Sequence, residues 1–359
     1  CFKNDPGNEN TISSNSIWSI YEDRTGRIWF GTFESKFDFI DPYYHKFTCF
    51  KDVGHTNSLA HSRGVNAFLE DENGNMWIAT GGGGLNYFNR DNYHFSLIQH
   101  KPNNPNTLTS NALQSLCYDE QGRLWVASWN GGINIVNPNH RITDYLNMNN
   151  SPITSNNIYS LLNDNKGHIY VGTSNGGLNI YNMKTEKWNN YTYDKNDKNS
   201  ISSNDIFEIY QDKQKNIWIG TYQGGLNLLK RDSSGNIYFI NYQHDKNDPN
   251  SLSHNVVNTV YEDDRGRLWV GTANGLNLMN RNKGTFKIYR KKDGLPSNTI
   301  KSIISDKRGY LWLGTLNGLS RFNPNTEQFK NYDASDGIQG NQFCRNAVYF
   351  SSSGEIYIG

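Results

Sequence analysis

The sequence predicts an all-β protein, a β-propeller of four-stranded blades, on three observations. A motif, Asp-x-x-Gly-x-(Ile/Leu/Met)-(Trp/Tyr)-x-Gly-Thr, recurs along the chain with its aromatic at Trp29, Trp77, Trp125, Tyr170, Trp218, Trp269, Trp312 and Tyr357. The gaps between those aromatics are 48, 48, 45, 48, 51, 43 and 45 residues, the length of one supersecondary unit rather than of a domain. About one residue in seven is Asn, Gly numbers 33, and aromatics make up 13% of the 359 residues. Such a composition supplies many tight turns and interiors filled by large flat side chains.

Each unit divides into four strands, and the stretch from Asn204 to Tyr242 shows them all. Strand a, Ile206 to Tyr210, alternates apolar and polar residues. Asp212 opens a tight turn, strand b runs from Ile217 to Thr221, and the loop Tyr222-Gln223-Gly224-Gly225 leads to strand c, Leu226 to Leu229. Strand d is Tyr238 to Tyr242, and a polar linker, His244 to Ser253, leads on to the next unit. The turn Asp is placed to bond the backbone two residues on, and the Gly three residues later supplies the left-handed conformation that ends such a hairpin. Asp212 is followed by Lys215 where that Gly belongs, so this turn is expected to be strained or differently shaped, and Ser351 replaces the Asp in the last unit. Strand b is nearly continuously apolar, which means burial on both faces. Four-stranded sheets arranged radially achieve that, each Trp filling the space between blades and the Gly or Ala after it keeping the backbone small. A solenoid is the structural alternative, and four strands per unit suit a blade better.

The linkers before strand a share an Asn, at Asn15, Asn111, Asn156, Asn204, Asn255, Asn298 and Asn341. This predicts a structural Asx-type bond at the start of each strand a. Runs such as Asp245-Lys246-Asn247-Asp248 lack the Gly and terminal Glu of a calcium hand and read as solvated turns. The net charge of +1 offers no basic stripe for nucleic acid. No stretch approaches the roughly 20 apolar residues of a membrane helix. Cys1, Cys49, Cys117 and Cys344 have neither metal-ligand nor redox spacing, and no metal or cofactor is expected.

In a propeller the d–a and b–c connections share one face, where ligands usually bind, and a site is best sought where a repeat breaks its own rule. Arg63 replaces the linker Asn, with His61 two residues before it. The b–c loops carry small or amide residues in most units, but Trp129-Asn130 in one and Tyr222-Gln223 in another. A short insertion in the last unit carries Cys344 and Arg345. Aromatics beside amides stack on sugars and hydrogen-bond to them, so His61, Arg63, Trp129, Asn130, Tyr222, Gln223 and Arg345 are the candidate ligand-binding residues. Inter-blade packing is the alternative for Trp129 and Tyr222. No catalytic constellation appears.

The runs Gly-Arg-Leu-Trp-Val-Gly-Thr-Ala-Asn-Gly-Leu-Asn-Leu (266 to 278) and Asn-Ile-Trp-Ile-Gly-Thr-Tyr-Gln-Gly-Gly-Leu-Asn-Leu (216 to 228), with the linker Asp-Pro-Asn-Ser-Leu-Ser-His-Asn (248 to 255), closely resemble the two-component-regulator propeller repeat. The resemblance covers essentially the whole chain. It implies the periplasmic sensor region of a hybrid two-component system from Bacteroidetes, not an enzyme in itself. There two seven-bladed propellers precede a β-sandwich, a membrane helix and a histidine kinase, the ligand is an oligosaccharide, the sensor is a homodimer, and the output controls polysaccharide-utilisation genes. The closing stretch, Asp336 to Phe343 and Ser353 to Gly359, resembles the last blade of the second propeller. On that pattern residues 1–359 are the second propeller of a longer sensor, with 1–44 finishing the one before. Seven blades then run from Trp77 to Tyr357, and a strand from His45 to Phe50 pairs into the last blade; eight blades is the competing count. A scaffold for protein–protein contact is the second functional reading, and a propeller lyase similar to the streptogramin-cleaving enzymes the third.

Overall fold

The computed structural model describes residues 3–4, 11–24, 27–33, 37–40, 47–50, 58–59 and 64–359. His61 and Arg63 lie outside the described residues. The chain divides into two compact units, one of residues 1–49 and 335–339, the other of 50–334 and 340–359. The first holds a three-stranded antiparallel sheet, Ile17–Glu22, Ile28–Thr32 and Phe37–Ile40.

The second unit is a ring of blades. Six are four-stranded antiparallel sheets with strands in chain order, and the seventh has two described strands, Val348–Phe350 and Ile356–Ile358. The a strands of blades one to six are Val65–Glu70, Leu113–Tyr118, Ile158–Asn163, Ile206–Gln211, Val257–Glu262 and Ile300–Ser305. Each touches the next, and Val348–Phe350 touches both Ile300–Ser305 and Val65–Glu70, closing a seven-membered ring. The seam uses the same contact as the junctions that follow blades three, four and five. Between blades four and five, a Cβ on Gly220 would lie 2.7 Å from Val257 Cγ1, so a larger residue there would have to push the next blade's strand a away. At the closure a Cβ on Gly359 would lie 2.7 Å from Val65 Cβ. The eight-bladed count is therefore excluded: the first repeat motif belongs to the other unit. Across the seam Glu70 accepts the Ser352 amide at 2.7 Å, and Arg90 pairs with Glu355.

The repeat motif explains itself in blade five. Asp263 Oδ1 accepts the amides of Arg265 (2.9 Å) and Arg267 (3.0 Å), closing the turn. Its Oδ2 accepts the indole N–H of Trp269 at 2.9 Å and the Arg267 Nε at 2.6 Å. Trp269 is fully buried, and an indole N–H in that position needs an acceptor. The same indole–carboxylate bond joins Trp125 to Asp119, Trp218 to Asp212 and Trp312 to Asp306, at 2.8–3.0 Å. Each core layer lies between blades: Trp218, Leu226 and Leu228 of blade four pack with Val257, Val260 and Val270 of blade five.

Three expectations change. The linker Asn is structural, but its bond is not local. Asn111, Asn204 and Asn255 each accept the amide of a residue 11 positions earlier, at 2.7 Å, clamping the base of the whole linker. A buried strand-c Asn holds the same linker from below: Asn134, Asn227 and Asn277 accept the amides of Thr109, Ser202 and Ser253 at 2.9–3.0 Å. The Asp212 turn keeps its shape. Lys215 takes the left-handed conformation at φ 67°, beside 75° for Gly266 and 80° for Gly309. Phe47 to Phe50 form no strand, and the Phe50 ring packs on Phe88 and Phe95 of blade one at 5.0 and 5.9 Å, not on the last blade. His45 lies outside the described residues.

All seven a strands with this pairing, Ile17–Glu22 included, carry a register shift at their second residue. A bulge there re-aims one side chain without disturbing the pairing beyond it.

Asp263→Ala is expected to destabilise the ring by about 3 kcal/mol, because it leaves a buried indole N–H and the Arg267 guanidinium without their acceptor. Urea unfolding followed by tryptophan fluorescence measures this; a cost within 0.5 kcal/mol (roughly the level of an ordinary surface change) would remove the carboxylate from its central place.

Candidate functional site at the mouth of the ring

The bulge residues of blades one to six are Asn66, Gln114, Tyr159, Phe207, Asn258 and Lys301. Asn66 and Asn258 use their amides to bridge to the next blade, donating to Leu113 O (2.8 Å) and Ile300 O (2.9 Å). Tyr159 and Phe207 cannot make that bond and present rings instead. Trp129 and Tyr222, from b–c loops, extend those rings into an arc: Trp129–Tyr159 centroids lie 5.3 Å apart, Tyr159–Phe207 5.0 Å and Phe207–Tyr222 5.4 Å. In blade three the corresponding loop residue is Ser174, which instead donates to Asp205 at 2.9 Å.

Arg345 reaches this arc from blade seven. Blades three and four stand farthest from blade seven in a seven-membered ring, so the side chain crosses the ring axis. Its guanidinium carbon sits 3.5 Å from the Phe207 centroid and 4.8 Å from that of Tyr159. Stacking on ring faces compensates the cation for lost water, but Nη1 is buried with no hydrogen-bond partner. Burial pulls the guanidinium below its ordinary value, opposed by Tyr159, Glu208 and Cys344.

Two further charges complete the mouth. Glu208 occupies a position filled by Ala67, Ser115, Ser160, Thr259 and Ser302 in the other blades. It faces the ring interior, partly accessible yet enclosed by protein, and that burial pushes its carboxyl well above the usual 4.5, with Arg345 opposing the rise. Lys301 is lowered by burial and then by the like charge of Arg345, while Cys344 opposes the drop.

The structure thus brings Trp129, Tyr222 and Arg345 together. Asn130 and Gln223 sit exposed beside the arc in left-handed conformations, φ 64° and 65°, which the b–c turn requires. Sequence reasoning missed Tyr159, Phe207, Glu208 and Lys301. Comparing the second and third residues of every strand a would have found them, because these break a pattern of amides and small residues. A separate open cleft of about 590 Å³, lined by Tyr181, Trp188 and Asn150, lies on the outer strands of blades two and three, not at the inner ones.

The raised Glu208 carboxyl has a sign that can be checked. A carboxyl raised in the fold favours its neutral form there, so its contribution to stability is fully present below the usual 4.5 and is lost as pH rises through the folded value. Glu208→Gln is expected to raise the melting temperature near pH 8 and leave it nearly unchanged near pH 4, roughly where an ordinary Glu carboxyl is mostly protonated. Calorimetric melts at both pH values decide it; an equal gain at both would assign the effect to packing rather than charge.

Comparison with known proteins now adds to this geometry. The repeat described as two component regulator propeller matches residues 11–34, 58–82, 107–130, 152–175, 200–223, 251–274 and 294–317. No curated protein matches the chain. Among solved structures, the extracellular domain of BT3049 from B. thetaiotaomicron, named as a hybrid two component system, is 25% identical with a TM-score of 0.80, and the match covers 98% of this chain and 45% of that one. The extracellular domain of BT4673 from the same organism is 19% identical with a TM-score of 0.68, over 100% of this chain and 48% of that one. Virginiamycin B lyase from Staphylococcus aureus is 16% identical with a TM-score of 0.61, over 84% and 94% of the two chains. The last two likenesses concern the fold alone. This chain spans less than half the length of the two extracellular domains. Each repeat match covers the end of a linker, strand a, the Asp turn, strand b and the start of its loop, which are the parts that hold one blade to the next, and the chain accordingly belongs to the two-component regulator propeller family.

Proposed function

We propose that this chain is part of the extracytoplasmic, periplasmic sensor of a hybrid two-component system, and that it detects an oligosaccharide at the mouth of its ring. The arc Trp129–Tyr159–Phe207–Tyr222 capped by Arg345 carries the reading: it places ring faces and unspent hydrogen-bonding groups on the face of b–c loops and linkers. Faces of this kind stack on the apolar side of a sugar while charged groups bond its hydroxyls. The family and the likeness to BT3049 support a sensor rather than an enzyme. Binding shifts the balance between two arrangements of a homodimer. A histidine kinase on the other side of the membrane reads that shift and controls genes for polysaccharide use.

Calorimetric titration against a panel of neutral and acidic oligosaccharides tests this. Trp129→Ala and Tyr222→Ala are each expected to weaken binding by about tenfold, the worth of one aromatic face. Unchanged affinity in both variants would favour the scaffold reading.

The other unit supports the longer architecture. Its strand Ile17–Glu22 has the blade pattern, yet Ile20 is 67% exposed where the corresponding Val260 is 2% exposed. Trp18, Tyr21 and Phe37 are bare as well. We propose that residues 1–44 complete a preceding propeller, whose neighbouring blade covers this face, and that an adjacent β-sandwich belongs to the same protein. Trp18 is then expected to be shielded from iodide quenching in the full-length protein and open to it in this chain alone; equal quenching in both would refute the assignment.

A further inference from the structure

The charges at the mouth do not balance, and their geometry says what is missing. Arg345 has a buried Nη1 that meets no acceptor. Lys301, the bulge residue of blade six, lies near enough to feel the charge of Arg345 and makes no ion pair among the described residues. The carboxyl in reach, Glu208, interacts with Arg345 without forming an ion pair among the described residues. A guanidinium held over Phe207 with one edge unsatisfied is a preorganised donor for an oxyanion, since the charge-assisted bond it lacks is the strong kind. An unpartnered buried donor costs stability until something accepts from it.

We infer that the ring mouth selects an anionic saccharide, one whose carboxylate accepts from Arg345 Nη1 near Lys301 while its sugar ring lies against the ends of the arc, the half-buried Trp129 and the exposed Tyr222. This rests on the reading of the mouth as a sugar site and adds the ligand's charge. The guanidinium is already fixed by its stacking on Phe207, so little rotamer freedom is lost when the carboxylate arrives. The fitting ligand is thus a saccharide that carries a carboxylate, such as a uronic acid.

The test uses this chain and trimers of galacturonate, glucuronate, mannuronate and guluronate beside trimers of galactose, glucose, mannose and xylose, titrated by calorimetry at two salt concentrations. An acidic trimer is expected to bind at least about tenfold more tightly than its neutral counterpart, with affinity falling as salt rises. Arg345→Gln is expected to remove that preference, and Lys301→Met to reduce it by about fivefold. If Arg345→Gln melts at a lower temperature than the parent, Lys301→Met carries the comparison. Neutral trimers binding as well as acidic ones, or an acidic preference indifferent to both substitutions, would overturn the inference and leave sugar sensing standing. Binding of none of the eight trimers would overturn both.

Discussion

The hydrogen bond from a buried indole to a turn carboxylate governs this architecture. One aspartate closes the a–b hairpin with one oxygen and satisfies the tryptophan of the following strand with the other. It ties local turn geometry to the core between blades, so neither can change alone. The exceptions obey the same accounting. In blade three the aromatic is Tyr170, which has no indole N–H, and the Asp164 oxygen instead meets His168 Nδ1 at 3.0 Å. In blade one Asp71 accepts from the Tyr87 hydroxyl at 2.7 Å. In the last blade the aspartate is Ser351, and the Tyr357 hydroxyl finds Glu355 at 3.1 Å. Wherever the carboxylate's partner changes, a neighbouring side chain changes with it.

How much of this was legible in the sequence follows from the range of each interaction. The motif was readable because Asp and Trp are six residues apart and their roles are local. The positions of Trp129, Tyr222 and Arg345 as irregularities were readable too, but their meeting was not: it depends on the ring closing with seven members, which sets blade seven opposite blades three and four. Tyr159 and Phe207 looked like ordinary strand residues, since alternation alone does not reveal a bulge. The linker Asn reads as structural from its repetition, yet its partner 11 residues back is fixed by loop closure, which spacing does not disclose. Lys215 shows the reverse: a missing glycine implied a new turn shape, but the surrounding hairpin holds the left-handed backbone regardless.

The loops around the mouth are tied to the blades by asparagine side chains. The linker asparagine clamps each base, and the strand-c asparagine, itself fully buried, anchors the linker's inner side. Such a rim is set before any ligand arrives, so binding energy is not spent on ordering it.

The bulge at the second residue of each strand a divides labour along the chain. Residues after it keep the register that packs blades together; the bulge residue stands outside that register, and in blades three and four its ring joins the arc. Sequence divergence can therefore work on one site per blade while the ring stays intact. Asparagine at that site spends itself on a neighbouring strand, and replacing it with a ring or a charge frees the site for recognition. A lineage of such proteins can explore new ligands by small steps, because its recognition alphabet and its structural alphabet are written at different positions.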